Sequence, residues 1–191
     1  MENSAEEKIL VAAIECVEKF GFQETTNRKI AEIAGTNSAA INYYFRSKEV
    51  LIQKVMERTL ANAFDWQDFA AIEAKDPLER CIAIFDHLVE GAVNYPGITR
   101  AHFYDLLMAG NYDSPVVKNL NEFVMRLGND LQEHGAKMDR KALETACQQL
   151  TASIFFMALS PRIFADGFGL DLGDPRQRRE YLTSLVGSLL K

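Results

Sequence analysis

Gly35 and its neighbours from Thr25 to Lys48 constrain the fold more tightly than any other stretch of the chain. Thr25 or Thr26 offers a helix N-cap, and apolar Ile30, Ile33 and Ala34 then recur at i, i+3 and i+4. Gly35 falls where that short helix must stop, because glycine adopts the left-handed backbone of a C′ residue at little cost. After a three-residue connection a second short helix starts near Ser38, with Ile41 and Phe45 inward and Ser38, Ala39, Asn42 and Tyr43 outward. Two short helices joined by a tight glycine turn form a helix-turn-helix, whose second helix fits the DNA major groove.

The outward residues suit that groove. Ala39 and Ala40 are small enough for close approach, Asn42 can pair with adenine, and a tyrosine ring can meet a thymine methyl or reach a phosphate. Arg28, Lys29, Arg46 and Lys48 face a single acid, Glu32, so the window is locally positive. Ser47 is a good N-cap for the next helix, and a phosphate there would meet free backbone N–H groups and the Lys48 ammonium. The plainer alternative is that the same residues only pack a three-helix subdomain.

Thr26, Ile30-Ala31, Ala34-Gly35, Ile41-Asn42-Tyr43-Tyr44-Phe45 and Ser47-Lys48-Glu49 with Leu51 resemble the DNA-binding segment of the TetR family of transcriptional regulators. The resemblance runs from the first helix to near Met56. It implies a helix-turn-helix domain over residues 1–46 and an effector-binding and dimerisation domain over 47–191. It also implies DNA contacts from Thr26, Arg28, Asn37, Ser38, Ala39, Ala40, Asn42, Tyr43, Tyr44 and Lys48. The family's usual mode is a homodimer, joined through its last two helices, that represses at a palindromic operator and is released by a small-molecule effector. The sequence departs from the commonest pattern at Asn42, where an aromatic is frequent, and at Ala39-Ala40, where Gly-Thr is frequent. Those departures bear on base preference rather than on groove docking. An all-helical interaction module of the same fold, without sequence-specific DNA binding, is the alternative.

The rest of the chain reads as helices separated by capping signals. Ser4 with Glu7 is a capping box that starts a helix carrying Ile9, Ala13, Cys16 and Phe20, widened by Leu10, Ile14 and Val17 and ended by Gly21. A helix from Ser47 meets no Gly or Pro before Pro77, which predicts that it runs well beyond the first domain. Asp76-Pro77, Ser114-Pro115 and Asp174-Pro175 each place proline just inside a helix start, and Asp139 opens another helix, which Pro161 kinks or ends. Residues 167–173 read as a loop. No segment alternates with a period of two, so the chain reads as all-α with about nine helices. The last helix sets Leu182, Leu185, Val186 and Leu189 beside small Ser184, Gly187 and Ser188, which suits close helix packing, whether in the dimer that the resemblance implies or in the terminal helix of a monomer.

Candidate effector-lining residues are Trp66, Phe85, Phe103, Tyr104, Met108, Tyr112, Phe123, Phe155 and Phe156; each also fits a plain core role. Cys16, Cys81 and Cys147 stand singly on apolar helical faces, which points to buried thiols rather than a disulfide framework. His87, His102 and His134 are scattered; His102 with Asp105 and Asp130 with His134 read as polar pairs rather than metal ligands. There is no Gly-x-Ser-x-Gly, Walker loop, His-Glu-x-x-His or dinucleotide glycine motif, so nothing asks for an enzyme or a cofactor. The formal charge of −6 argues against a general nucleic-acid coat but allows one local basic face. Met1-Glu2-Asn3-Ser4 lacks a signal-peptide core and no long apolar run could span a bilayer, so the expected location is cytoplasmic.

Overall fold

The computed structural model describes residues 4–74 and 76–190; Met1-Glu2-Asn3 of the opening segment lies outside them. Among the described residues there are eleven α-helices and no strand. They are α1 (Ala5–Phe20), α2 (Asn27–Ile33), α3 (Ser38–Phe45), α4 (Lys48–Ala63), α5 (Trp66–Ala70) and α6 (Pro77–Asn94). Then follow α7 (Pro96–Ala109), α8 (Pro115–Glu133), α9 (Arg140–Leu159), α10 (Pro161–Phe168) and α11 (Pro175–Leu189). The all-helical expectation holds, with two more helices than the capping signals announced.

Both additions have local causes. The Asp65 carboxylate accepts from the Gln67 N–H, closing α4 at Ala63 and opening α5, so the long uninterrupted helix expected from Ser47 does not form. Ser160-Pro161 does not only end α9; proline at N1 starts α10, which takes in Gly167 and Phe168 and leaves only 169–173 of the expected loop outside.

The chain divides into two compact units, residues 1–62 with 95–109 and residues 63–94 with 110–191. In the first unit α1, α2, α3, α4 and α7 enclose Ile9, Ala13, Cys16, Val17, Ile30, Ile41, Phe45, Leu51, Val55 and Ile98. Phe20 is not part of this core. It is exposed, and the Lys29 ammonium sits 4.6 Å from its ring centre, a cation–π contact at the surface. The place of α7 here was not visible in the sequence. Glu18 of α1 accepts from the Gly97 N–H at 2.7 Å and the Ile98 N–H at 3.0 Å, supplying the first turn of α7 with a carboxylate cap. The helices approach so closely that a Cβ on Gly97 would lie 2.6 Å from the Glu18 carbonyl oxygen.

In the second unit α6, α8, α9 and α11 surround Phe85, Leu127, Leu131, Leu143, Leu150, Ile154, Leu182 and Val186. Two buried arginines pin it. Arg80 donates to Asp130 at 2.7 Å, to the Ile72 carbonyl at 2.8 Å and to the Phe69 carbonyl at 3.1 Å. Arg178 of α11 donates to Asp86 of α6 at 2.7 Å and to the Leu172 carbonyl at 3.0 Å. Asp130 thus pairs with Arg80, while its carbonyl oxygen lies 2.7 Å from His134 Nδ1, in keeping with a polar pair. All three cysteines are buried; burial raises the Cys147 thiol to about 11 and pushes Cys81 well above the usual thiol range.

His102 of α7 shows how burial works in the first unit. The Thr59 hydroxyl donates to the Val55 carbonyl, so the 2.9 Å contact between Thr59 Oγ1 and His102 Nε2 is donated by the imidazole. Burial lowers the His102 pKa from 6.5 to about 4. Between those values the unfolded chain binds a proton that the folded chain refuses, so stability is full above pH 6.5 and falls as pH drops towards 4. The expected loss is about 2 kcal/mol by pH 5, at roughly 1.4 kcal/mol per pH unit. Urea unfolding at pH 7 and pH 5 reads it, and His102→Asn must remove that share of the difference.

Candidate nucleic-acid interface

The turn between α2 and α3 is built by backbone hydrogen bonding around Gly35. At φ +63° this residue lets Thr36 N–H reach the Ala31 carbonyl at 2.9 Å and Gly35 N–H reach the Glu32 carbonyl at 3.3 Å, a Schellman motif. Thr26 caps α2 by accepting from Lys29 N–H at 3.3 Å, and Asn37 caps α3 by accepting from Ala40 N–H at 2.9 Å. Two residues expected at the duplex therefore also fix the helices that carry the others. Ile30 and Ile41 are fully buried between them, so the relative placement of α2 and α3 is set by packing as well as by the turn.

With Ile41 and Phe45 inward, α3 presents Ser38, Ala39, Asn42, Tyr43 and Tyr44 to solvent, while Ala40 is half-buried. Tyr43 is 81% exposed and meets the edge of Tyr44 at 5.1 Å between ring centres. Apart from that ring contact, a side chain held this far out gains little burial from its own fold. Asn42 Oδ1 accepts from Asn27 Nδ2 of α2 at 3.4 Å.

The basic side chains divide into two kinds. Lys29 donates to the Glu24 carbonyl at 2.7 Å, and Lys48 to the Thr25 carbonyl at 3.3 Å, so both the start of α2 and the start of α4 are tied to the loop that precedes α2. Among the described residues Arg28 and Arg46 form no ion pair, and both are exposed. At the start of α4 the Ser47 hydroxyl accepts from Val50 N–H at 3.3 Å. Glu49 shares that helix end, its carboxyl held below the usual range by its own backbone N–H and by the Ser47 hydroxyl. This acid sits beside the expected phosphate position.

Arg46 is the one non-glycine residue at positive φ among the described residues, with φ 65° and ψ −42°. Ser47 N–H donates across it to the Phe45 carbonyl at 2.7 Å, which makes a strained γ-turn between α3 and α4. Nothing in the sequence announced this strain, because arginine is not a residue that marks left-handed backbone.

The expected effector residues do not all meet. In the second unit Phe123 is the centre of a ring cluster, with Phe64 at 5.8 Å, Trp66 at 6.1 Å, Phe69 at 6.0 Å and Phe85 at 5.8 Å; Phe155 stacks on Phe64 at 6.2 Å. Phe64 and Phe69 were not among the candidates. Phe103 is buried, and Tyr104 stacks on Phe22 at 6.0 Å and hydrogen-bonds Gln23, so both belong to the first unit. Met108 and Tyr112 are 71% and 76% exposed, and Phe156 is exposed as well. A separate hollow of about 370 Å³ lies between Asp76–Leu78, Gly135–Met138 and Leu190, and holds none of the candidates. Among the described residues no group of His, Cys, Asp and Glu side chains could hold a metal ion, and no helix is long and apolar enough to cross a membrane.

Residues 9–55 match the profile of the bacterial regulatory proteins of the tetR family, which covers α1 from Ile9 onward, α2, α3 and the first half of α4. Over that segment the chain is similar to the TetR family. Over 107 residues it is 33% identical to the nucleoid occlusion factor SlmA of Idiomarina loihiensis, covering 56% of this chain and 54% of that protein. Over 58 residues it is 43% identical to the HTH-type transcriptional regulator RutR of Escherichia coli, covering 30% of this chain and 27% of that one. The matched segments thus span about half, or less, of these curated relatives. A TetR transcription regulator from Haloarcula marismortui shares the fold along nearly the whole length, with TM-score 0.71, 19% identity and 98% of each chain covered.

Proposed function

We propose that the chain is a transcriptional regulator that binds a palindromic DNA operator as a homodimer, represses there, and is released by a small-molecule effector. The observation that carries this reading is the solvent face of α3, where Asn42 and the far-projecting Tyr43 are exposed, together with exposed Arg28 of α2 and Arg46 at the end of α3, which form no ion pair among the described residues. A short helix reads few base pairs, and a two-fold dimer reads two half-sites about 34–36 Å apart or a multiple of that. The outward face of α11 supports self-association: Ser184 and Ser188 are exposed and Gly187 half-buried, whereas Leu182 and Val186 are taken up by the protomer's own core.

The effector reading rests on the ring cluster around Phe123, whose rim residues Phe64, Trp66 and Phe155 are half-buried. The chain crosses between the two units after Asn62, Asn94 and Ala109, so a change in the second unit acts on the ends of α4 and α7 through the backbone. Effector binding then lowers operator affinity by its preference for the state that cannot dock. The likeness to a nucleoid occlusion factor over 107 residues supports a second reading, in which a DNA-bound dimer serves the chromosome rather than a promoter. Mapping bound sites in cells separates the two: clustering at promoters favours the first, dispersal over the chromosome the second.

Lys48→Ala tests the DNA-facing role of this surface. It is expected to weaken binding to all duplexes alike and to lower the slope of log affinity against log salt by about one unit. An unchanged slope would leave Lys48 with only its bond to the Thr25 carbonyl.

A further inference from the structure

The pairing of Asn27 with Asn42 fixes what the middle of α3 offers to a base. Asn42 has an oxygen that accepts and an NH₂ that donates, and with both free it could read adenine through N6 and N7. Here its Oδ1 is turned towards α2 and accepts from Asn27 Nδ2 at 3.4 Å, while Asn42 itself is exposed. The opposite arrangement, with both amides reversed, is disfavoured by the other end of Asn27. Its Oδ1 is buried and has no hydrogen-bond partner. Reversal would bury an NH₂ in that place, and an orphaned buried N–H is rarer than an under-satisfied carbonyl oxygen. The inward end of Asn27 therefore sets the outward end of Asn42.

We infer that Asn27 is a positioning residue that makes Asn42 a donor-only reader, selecting guanine over adenine at one symmetric position of each half-site. In the major groove guanine shows two acceptors, O6 and N7, which the two hydrogens of the Asn42 NH₂ can meet, whereas the N6 amino group of adenine opposes it. Asn27 does not touch the base, and acts through the angle and orientation of Asn42. This inference rests on the DNA-binding reading above.

The test is selection of duplexes from a random library by the wild-type protein, Asn42→Ala, Asn27→Ala and Asn27→Asp, with melting curves to verify folding. The wild-type consensus is expected to carry one guanine per half-site at which Asn42→Ala loses preference. Replacing it by 7-deazaguanine should weaken wild-type binding by roughly fivefold or more, and leave Asn42→Ala unaffected. Asn27→Ala should reduce discrimination at that same position alone. Asn27→Asp, which can only accept, should draw the Asn42 NH₂ inward and turn preference towards adenine or cytosine. Adenine or cytosine at the Asn42-dependent position of the wild type overturns the inference while leaving DNA binding intact, as does a change at a different position in Asn27→Ala. Failure to enrich any duplex overturns the DNA-binding reading itself, and this inference with it.

Discussion

Arg80→Ala is expected to lower the unfolding free energy by about 3–5 kcal/mol, enough to leave much of the protein unfolded at 37 °C. The side chain is 3% exposed, and its guanidinium meets the Asp130 carboxylate and the Ile72 and Phe69 carbonyls at once. Removing it leaves a buried carboxylate without its arginine and takes a donor from each of the two carbonyls, and the cost of that desolvation exceeds what the pair itself contributes. A double replacement, Arg80→Met with Asp130→Leu, separates the two. It removes both charges, and should recover most of the loss if the damage lies in the orphaned partner. Urea unfolding of the two variants beside the wild type measures this, and a double variant no more stable than Arg80→Ala would contradict the explanation.

Gly97→Ala is the second large effect, about 3 kcal/mol of destabilisation, combining overpacking with weakened carboxylate hydrogen bonds. The added methyl would meet the Glu18 backbone, with its carbonyl oxygen at 2.6 Å and its Cα at 2.7 Å, and a backbone cannot swing aside as a side chain can. The first turn of α7 must move off the end of α1, taking Gly97 N–H and Ile98 N–H away from the Glu18 carboxylate. Glu18→Gln keeps an acceptor at that place and should cost far less. Thermal melting distinguishes them, and equal losses would place the importance in the Glu18 charge rather than in the close approach.

These two sites also mark where sequence reading stops. The helix-turn-helix was legible because its determinants are local: Thr26, Gly35 and Asn37 act within three to five residues of themselves, and their hydrogen bonds lie where the spacing puts them. Gly97 and Glu18 are 79 residues apart, and nothing around Pro96-Gly97 says that the glycine serves a close contact rather than a helix start. Likewise Leu182 and Ser184 share one helix, and only packing decides that the leucine faces α6 and the serine faces out. The aromatic content pointed to a cluster, but the pattern could not tell Phe69, inside it, from Tyr104, which belongs to the first unit. Asp65 ended α4 with a capping preference that the absence of Gly and Pro concealed.

The most direct test is competition binding of the purified protein, without small molecules and at low salt, to duplexes selected from a random pool. The expected result is a two-fold symmetric consensus whose half-sites lie one helical turn or a multiple apart, bound far more tightly than random competitor. Equal affinity for selected and random duplexes would contradict it, and would leave the exposed Tyr43 and Asn42 without the partner assigned to them.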